Sequence, residues 1–279
     1  MFRTGLAAAA AMALLAGCQG MNGDVSRSGI EAIEESELNA IMMQLGDPRV
    51  SVNHFRRAAA AQPERSDLKR ALAQSLARAG DHEAAAAVWR DVGAAGALTS
   101  ADGVAMAEAL IRSGDMGGAR SALAAVPPTY ETYDRYRLEA IVADQAREWS
   151  RADAFYENAV ALTSQPGGVY NNWGFSKLTR GDHRGAEKMF QRAIQEDPSL
   201  FTAKNNLVLA LGAQRRYDLP LVPMTQVERA QLLHTMGLTA VKQGDISTGR
   251  TLLSDAVNTH PQHFDAAARA LATLDGVRN

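Results

Sequence analysis

His260 and His263 flank the Pro261-Gln262 pair, with Asp265 two residues further on, and this is the closest that the sequence comes to a metal cluster. Two imidazoles and a carboxylate could hold zinc, but nothing around them in sequence completes the set, so no metal and no other cofactor is expected. His82 and His183 each follow a Gly-Asp pair directly, where a solvent-exposed imidazole is the plain reading. Glu31, Glu34, Glu35 and Glu37 crowd together as the charged face of a helix does, without forming a catalytic pair. The chain has no Gly-rich phosphate loop, no dinucleotide fingerprint, no Gly-x-Ser-x-Gly elbow and no His-Glu-x-x-His. It is therefore expected to be no enzyme, with no catalytic residue and no small-molecule substrate. The one chemical alternative is a hydrolase or hydrolase adaptor using His260 and His263, which stoichiometric zinc would mark.

What must position any functional residue is helical. The 279 residues are 46% hydrophobic but only 6% aromatic, and the hydrophobic share is dominated by alanine, which suits helices far better than sheets. Twenty-nine basic against 31 acidic side chains give a formal charge of −2, so no positive field gathers nucleic acid. One cysteine, Cys18, excludes an intrachain disulfide.

That cysteine has a specific setting. Met1-Phe2-Arg3 is a short basic start, Leu6 to Leu15 is an apolar run too short to span a bilayer, and Leu15-Ala16-Gly17-Cys18 follows at once. The tetrad resembles the lipobox of bacterial lipoproteins, which implies a signal peptide over 1–17 and a lipid anchor on Cys18. Its removal takes away Arg3 and makes the formal charge −3. Gln19, where an aspartate would imply inner-membrane retention, implies delivery to the periplasmic face of the outer membrane. Residues 18–29, with three glycines and no apolar period, read as a tether with a reach of about 18 Å, and 30–279 as the folded domain.

A period organises that domain. Gly46-Asp47, Gly80-Asp81 and Gly114-Asp115 are 34 residues apart, and in the same frame small residues recur at Ser51, Ala85 and Ala119, large ones at Phe55, Trp89 and Leu123. Gly181-Asp182 and Gly244-Asp245 repeat the pattern, and Arg147 takes the glycine's place in a degenerate copy. The pattern resembles the tetratricopeptide repeat. It implies an all-α, right-handed superhelix of about seven helix-turn-helix repeats, starting near Ala32, Ser66, Ser100, Tyr133, Gly167, Phe201 and Ala230, with a capping helix from Phe264 to Leu274. The sixth repeat is irregular: Pro220 and Pro223 in Leu219-Pro-Leu-Val-Pro-Met224 cannot lie in a helix interior, and the apolar residues between them favour packing over a free loop.

Family geometry places positions 2, 5, 6 and 9 of each repeat on the concave wall. Asn171-Asn172 and Asn205-Asn206 occupy positions 5 and 6 of consecutive repeats, and an asparagine offers a donor and an acceptor to the backbone of an extended peptide. Arg137, Phe175 and His234 are expected to face the same groove. The bland alternative is that the asparagines solvate an empty wall. Tyr170-Asn-Asn-Trp-Gly-Phe-Ser-Lys-Leu-Thr-Arg-Gly-Asp182, with Phe201-Thr-Ala-Lys-Asn-Asn-Leu207 and Arg216-Tyr-Asp218, resembles the TadD family of the tight-adherence (Flp) pilus system. The resemblance covers mainly the C-terminal half. It implies an outer-membrane-anchored assembly factor that binds the pilus secretin or other Tad components. The alternative is a general envelope scaffold, for outer-membrane protein insertion or cell-wall remodelling.

Overall fold

A computed structural model describes residues 35–276, and every regular element among them is helical. The described residues divide into two compact bodies, 35–97 and 98–276.

In the first body, α1 (35–44) and α2 (Pro48–Ala61) form one hairpin, α3 (Ser66–Arg78) and α4 (His82–Ala94) the next. The second body contains the hairpins α5 (Ser100–Ser113) with α6 (Met116–Ala124), α7 (Tyr133–Gln145) with α8 (Trp149–Ala161), and α9 (Gly167–Thr179) with α10 (His183–Glu196). There follow the single helix α11 (Phe201–Ala213), the hairpin of α12 (Gln226–Lys242) with α13 (Ile246–Thr259), and α14 (Asp265–Gly276). Five first helices thus begin where the 34-residue period puts them: Ser66, Ser100, Tyr133, Gly167 and Phe201.

The repeated residue types have the expected steric work. Where two helices of a hairpin cross, Ala73 faces Ala85, Ala107 faces Ala119 and Ala140 faces Ala152, all fully buried at 0% exposure. Smaller still, Gly237 and Gly249 let α12 and α13 touch: a methyl group on Gly249 would lie 2.9 Å from the Gly237 carbonyl oxygen. Trp89, Leu123, Tyr156, Phe190 and Leu253 fill the space between one hairpin and the next, all nearly inaccessible. At the turns, Gly80, Gly114, Gly181 and Gly244 take φ between 83° and 88°, while Asp47, Asp81, Asp115, Asp182 and Asp245 accept backbone N–H groups of the helix that follows. Arg147 holds the same left-handed turn at φ 59° without being glycine, at a cost of about 1–2 kcal/mol.

Three expectations need correction. The seventh repeat starts at Gln226, not near Ala230, because Thr225 and Glu228 form a capping box that opens α12 a turn earlier. The final helix begins at Asp265 and runs two residues past Leu274. His82 and His183 are half-buried, with both Nδ1 atoms turned inward away from any hydrogen-bond partner, because the Gly-Asp turn folds the first residue of the helix against its hairpin. The sixth repeat is irregular as its two prolines require, and it lacks its second helix altogether. Twelve residues, 214–225, lead from α11 to α12; Tyr217, Leu219, Val222 and Met224 pack on the core while Leu221 is fully exposed. Cys18, the signal peptide and the tether lie outside the described residues, as do Glu31 and Glu34.

Candidate protein-binding surface

First helices α5, α7, α9, α11 and α12 succeed one another along the second body, and polar side chains link each to the next. Glu108 of α5 accepts from Arg137 Nη2 of α7 at 3.1 Å, and Arg137 also pairs with Asp134 at 3.4 Å and lies over the Tyr133 ring. Asp144 of α7 accepts from Ser176 of α9 at 2.6 Å and from Tyr156 at 2.8 Å. Burial raises the Asp144 carboxyl above its ordinary pKa, and these two hydroxyls partly offset that. Asn206 Nδ2 of α11 donates to Asn171 Oδ1 of α9 at 3.0 Å, and Thr235 Oγ1 of α12 donates to Asn205 Oδ1 at 2.8 Å.

These bonds sort the groove candidates into two kinds. Arg137, Asn171, Asn205 and Asn206 spend polar atoms on neighbouring helices, and Asn206 is 8% exposed. Its equal phase with Asn172 does not give it an equal environment, because it is turned against Asn171 of the preceding first helix. Of the two position-6 asparagines, Asn172 is therefore exposed and Asn206 is buried. Asn206→Ala should cost about 1–2 kcal/mol by orphaning Asn171, whereas Asn172→Ala should leave the melting temperature unchanged; circular dichroism melts of the two single variants check this.

What remains open on the wall is Asn172, with Phe175 one turn further along α9 at 53% exposure. His234 of α12 is half-buried, its ring 5.3 Å from that of Phe264, and burial holds its imidazole below the ordinary pKa. His260 also stacks on Phe264, and His263 pairs with Asp265 at 2.9 Å in solvent, so the two histidines have partners of their own. Among the described residues no three metal-ligating side chains converge.

Sequence reasoning missed a cluster behind this wall. Asp153 of α8 accepts from Arg180 at 2.9 and 2.7 Å, from Lys177 at 3.3 Å and from the Trp173 indole. Burial alone would raise the Asp153 carboxyl; the Arg180 and Trp173 hydrogen bonds outweigh it and hold the pKa below the usual range. Lys177 lies over the Trp173 ring and Arg180 over Trp149, so α9 is braced against α8 from behind while its front stays free. Trp173, Lys177 and Arg180 share a helical face at spacings of four and three, and that was the available signal. A second unforeseen feature is a cavity of about 650 Å³ beside the proline strip, between Ile194, Leu207, Leu211, Leu219 and Leu221.

Comparison with known proteins agrees with this architecture. No curated protein matches the chain in sequence. A tetratricopeptide repeat protein from Parabacteroides merdae superposes with a TM-score of 0.58 at 12% identity, over 89% of this chain and 99% of the other. A chain of the APC/C hetero-tetramer Cut9–Hcn1 gives 0.57 at 15% identity over 85% of this chain; the match takes in 48% of that longer chain. Pseudomonas aeruginosa pilF gives 0.51 at 14% identity, over 76% and 99%. Residues 43–96 match the tetratricopeptide repeat family, and the fold of the chain is the tetratricopeptide-repeat fold.

Proposed function

We propose that this chain is a non-enzymatic assembly factor of the tight-adherence (Flp) pilus system, of the TadD kind, anchored by lipid at Cys18 to the periplasmic face of the outer membrane. Its first-helix wall holds an extended segment of the pilus secretin or of another Tad component. The observation that carries this reading is the pairing of Asn172 and Phe175 on α9, open to solvent while the residues around them are braced from behind. Asn172 offers a donor and an acceptor to a peptide backbone, and Phe175 a flat apolar surface to one of its side chains. The resemblance of the Tyr170–Asp182 and Phe201–Leu207 segments to TadD supplies the pathway, and the Leu15–Cys18 tetrad supplies the location.

A photoreactive amino acid replacing Phe175, in cells that make the pilus, tests the reading. A covalent adduct with the secretin or another pilus component is expected, and it should be lost when Cys18→Ser releases the protein from the outer membrane. Adducts with outer-membrane insertion or cell-wall factors would replace the pilus assignment by a general scaffold. A Cys18→Ser protein that stays in the outer-membrane fraction would remove the anchor. Crosslinking from Leu221 and not from Phe175 would move the binding site to the proline strip.

A further inference from the structure

The first body carries an apolar stripe that the other described residues leave exposed. Leu38 and Ile41 on α1 and Leu45 directly after its last turn are 44%, 54% and 82% exposed, and Val50 in the first turn of α2 is 53% exposed. Spacings of three and four put the first three on one side of the helix and its end. The helix and the turn after it are tied down elsewhere: Asn39 meets His54 Nε2 at 2.8 Å, Ser51 Oγ donates to the Met42 carbonyl at 2.7 Å, and Arg78 donates to the Gly46 carbonyl at 2.8 Å. Rotating the helix to hide the stripe would break all three. Its exposure is therefore a fixed property of the hairpin.

We infer that this stripe is a membrane-contact face, lying flat in the interface of the bilayer to which the chain is anchored. The inference rests on the lipid anchor proposed above. Sixteen residues separate Cys18 from Glu35, so the anchor keeps α1 within about 60 Å of the bilayer even at full extension, and every other described helix is further along the chain. No described helix is long and apolar enough to cross a membrane, so contact must be peripheral. The charges bordering the stripe are mixed: Glu37 on α1, Arg49 at the start of α2, and Glu35 paired with Arg65 at 3.2 Å. A strongly charged protein partner finds no complement there, whereas a lipid interface needs none. Three aliphatic side chains would not hold a protein on a bilayer alone, but beside acyl chains they need only orient it.

Because Cys18 is the sole cysteine and the lipid consumes its sulfur, Leu45→Cys gives the full-length lipidated protein one free thiol for an environment-sensitive fluorophore. In vesicles of phosphatidylethanolamine and phosphatidylglycerol, its emission should shift to the blue and brominated acyl chains should quench it several-fold more than the same label at exposed Glu157→Cys on α8. Adding Leu38→Ser and Ile41→Ser should abolish the shift while the protein still floats with the vesicles. Flotation with equal quenching at both labels would overturn the inference and leave the anchor standing. A label at 45 that is shielded from brominated lipid, with a signal that grows with protein concentration, would assign the stripe to a second copy and overturn it too. Failure to float would remove the anchor and this placement together.

Discussion

Phe190→Ala should destabilise the second body by about 3–5 kcal/mol and lower its melting temperature by roughly 10 °C. The ring is fully buried in the core shared by α10, α11 and α12, and its edge rests on Gly174 of α9, where a methyl group would come within 2.6 Å of it. Two adjacent helices are thus fitted to each other as a large side chain and an absent one. The same contact predicts a reversal of sign. Gly174→Ala in the native background should cost about 1–3 kcal/mol by displacing the ring. In the Phe190→Ala background it should stabilise, since the new methyl enters vacated space and alanine is the better helix former by about 1 kcal/mol. Thermal melts of the four proteins in the cycle decide it. Equal costs of Gly174→Ala in both backgrounds would show that the ring is not what requires glycine.

The second large effect lies at the entry to α12. Lys204 of α11, at 2% exposure, donates to Glu228 at 2.9 Å, and Glu228 also accepts from the Thr225 backbone N–H at 2.7 Å. Glu228→Leu strands a buried ammonium and should cost about 3–5 kcal/mol, limited by the ease with which the amine sheds its proton. Lys204→Met should cost only about 1–2 kcal/mol, because the remaining carboxylate is partly accessible and keeps its Thr225 bond. The double variant should recover much of the loss. Thr225 first, then Lys204, holds the Glu228 carboxyl below the ordinary glutamate pKa. A depressed pKa in the folded state means that the contribution is complete above the ordinary glutamate range and is lost as acid protonates the group. Urea melts at neutral pH and at about pH 3 should therefore show Lys204→Met and wild type converging in acid. A difference that persists there would point to packing of the lysine stem instead.

The first prediction concerns a contact within one hairpin and the second a contact between repeats, which is where the sequence was least legible. Features internal to one hairpin could be read directly. The start of five first helices, the small pairs such as Ala73 with Ala85, and the Gly-Asp turns all follow from a period of 34 and from what two crossing helices require. The fate of a polar side chain on the wall depends on the next helix as well. Asn172 and Asn206 share one repeat position, yet one is exposed and the other is buried against Asn171, because α11 and α9 cover different parts of each other. Asp153 offered no signal by itself; only the turn that brings α9 back along α8 sets Trp173, Lys177 and Arg180 around it. The start of α12 was legible after all, in Thr225 and Glu228, but the preceding prolines break the period that would have directed attention there.

The absent second helix of the sixth repeat bears on how damage spreads. In a linear array, folding cooperativity passes only between nearest neighbours, and each hairpin supports the next through both of its helices. Across residues 214–225 the second helix is replaced by irregular chain, and the support passes through α11 against α12, the Lys204–Glu228 and Asn205–Thr235 pairs, and Tyr217, Leu219, Val222 and Met224, all on one continuous core. A lesion in α5 to α11 therefore reaches α12 to α14 through α11 and this segment, with no second helix beside them to carry it.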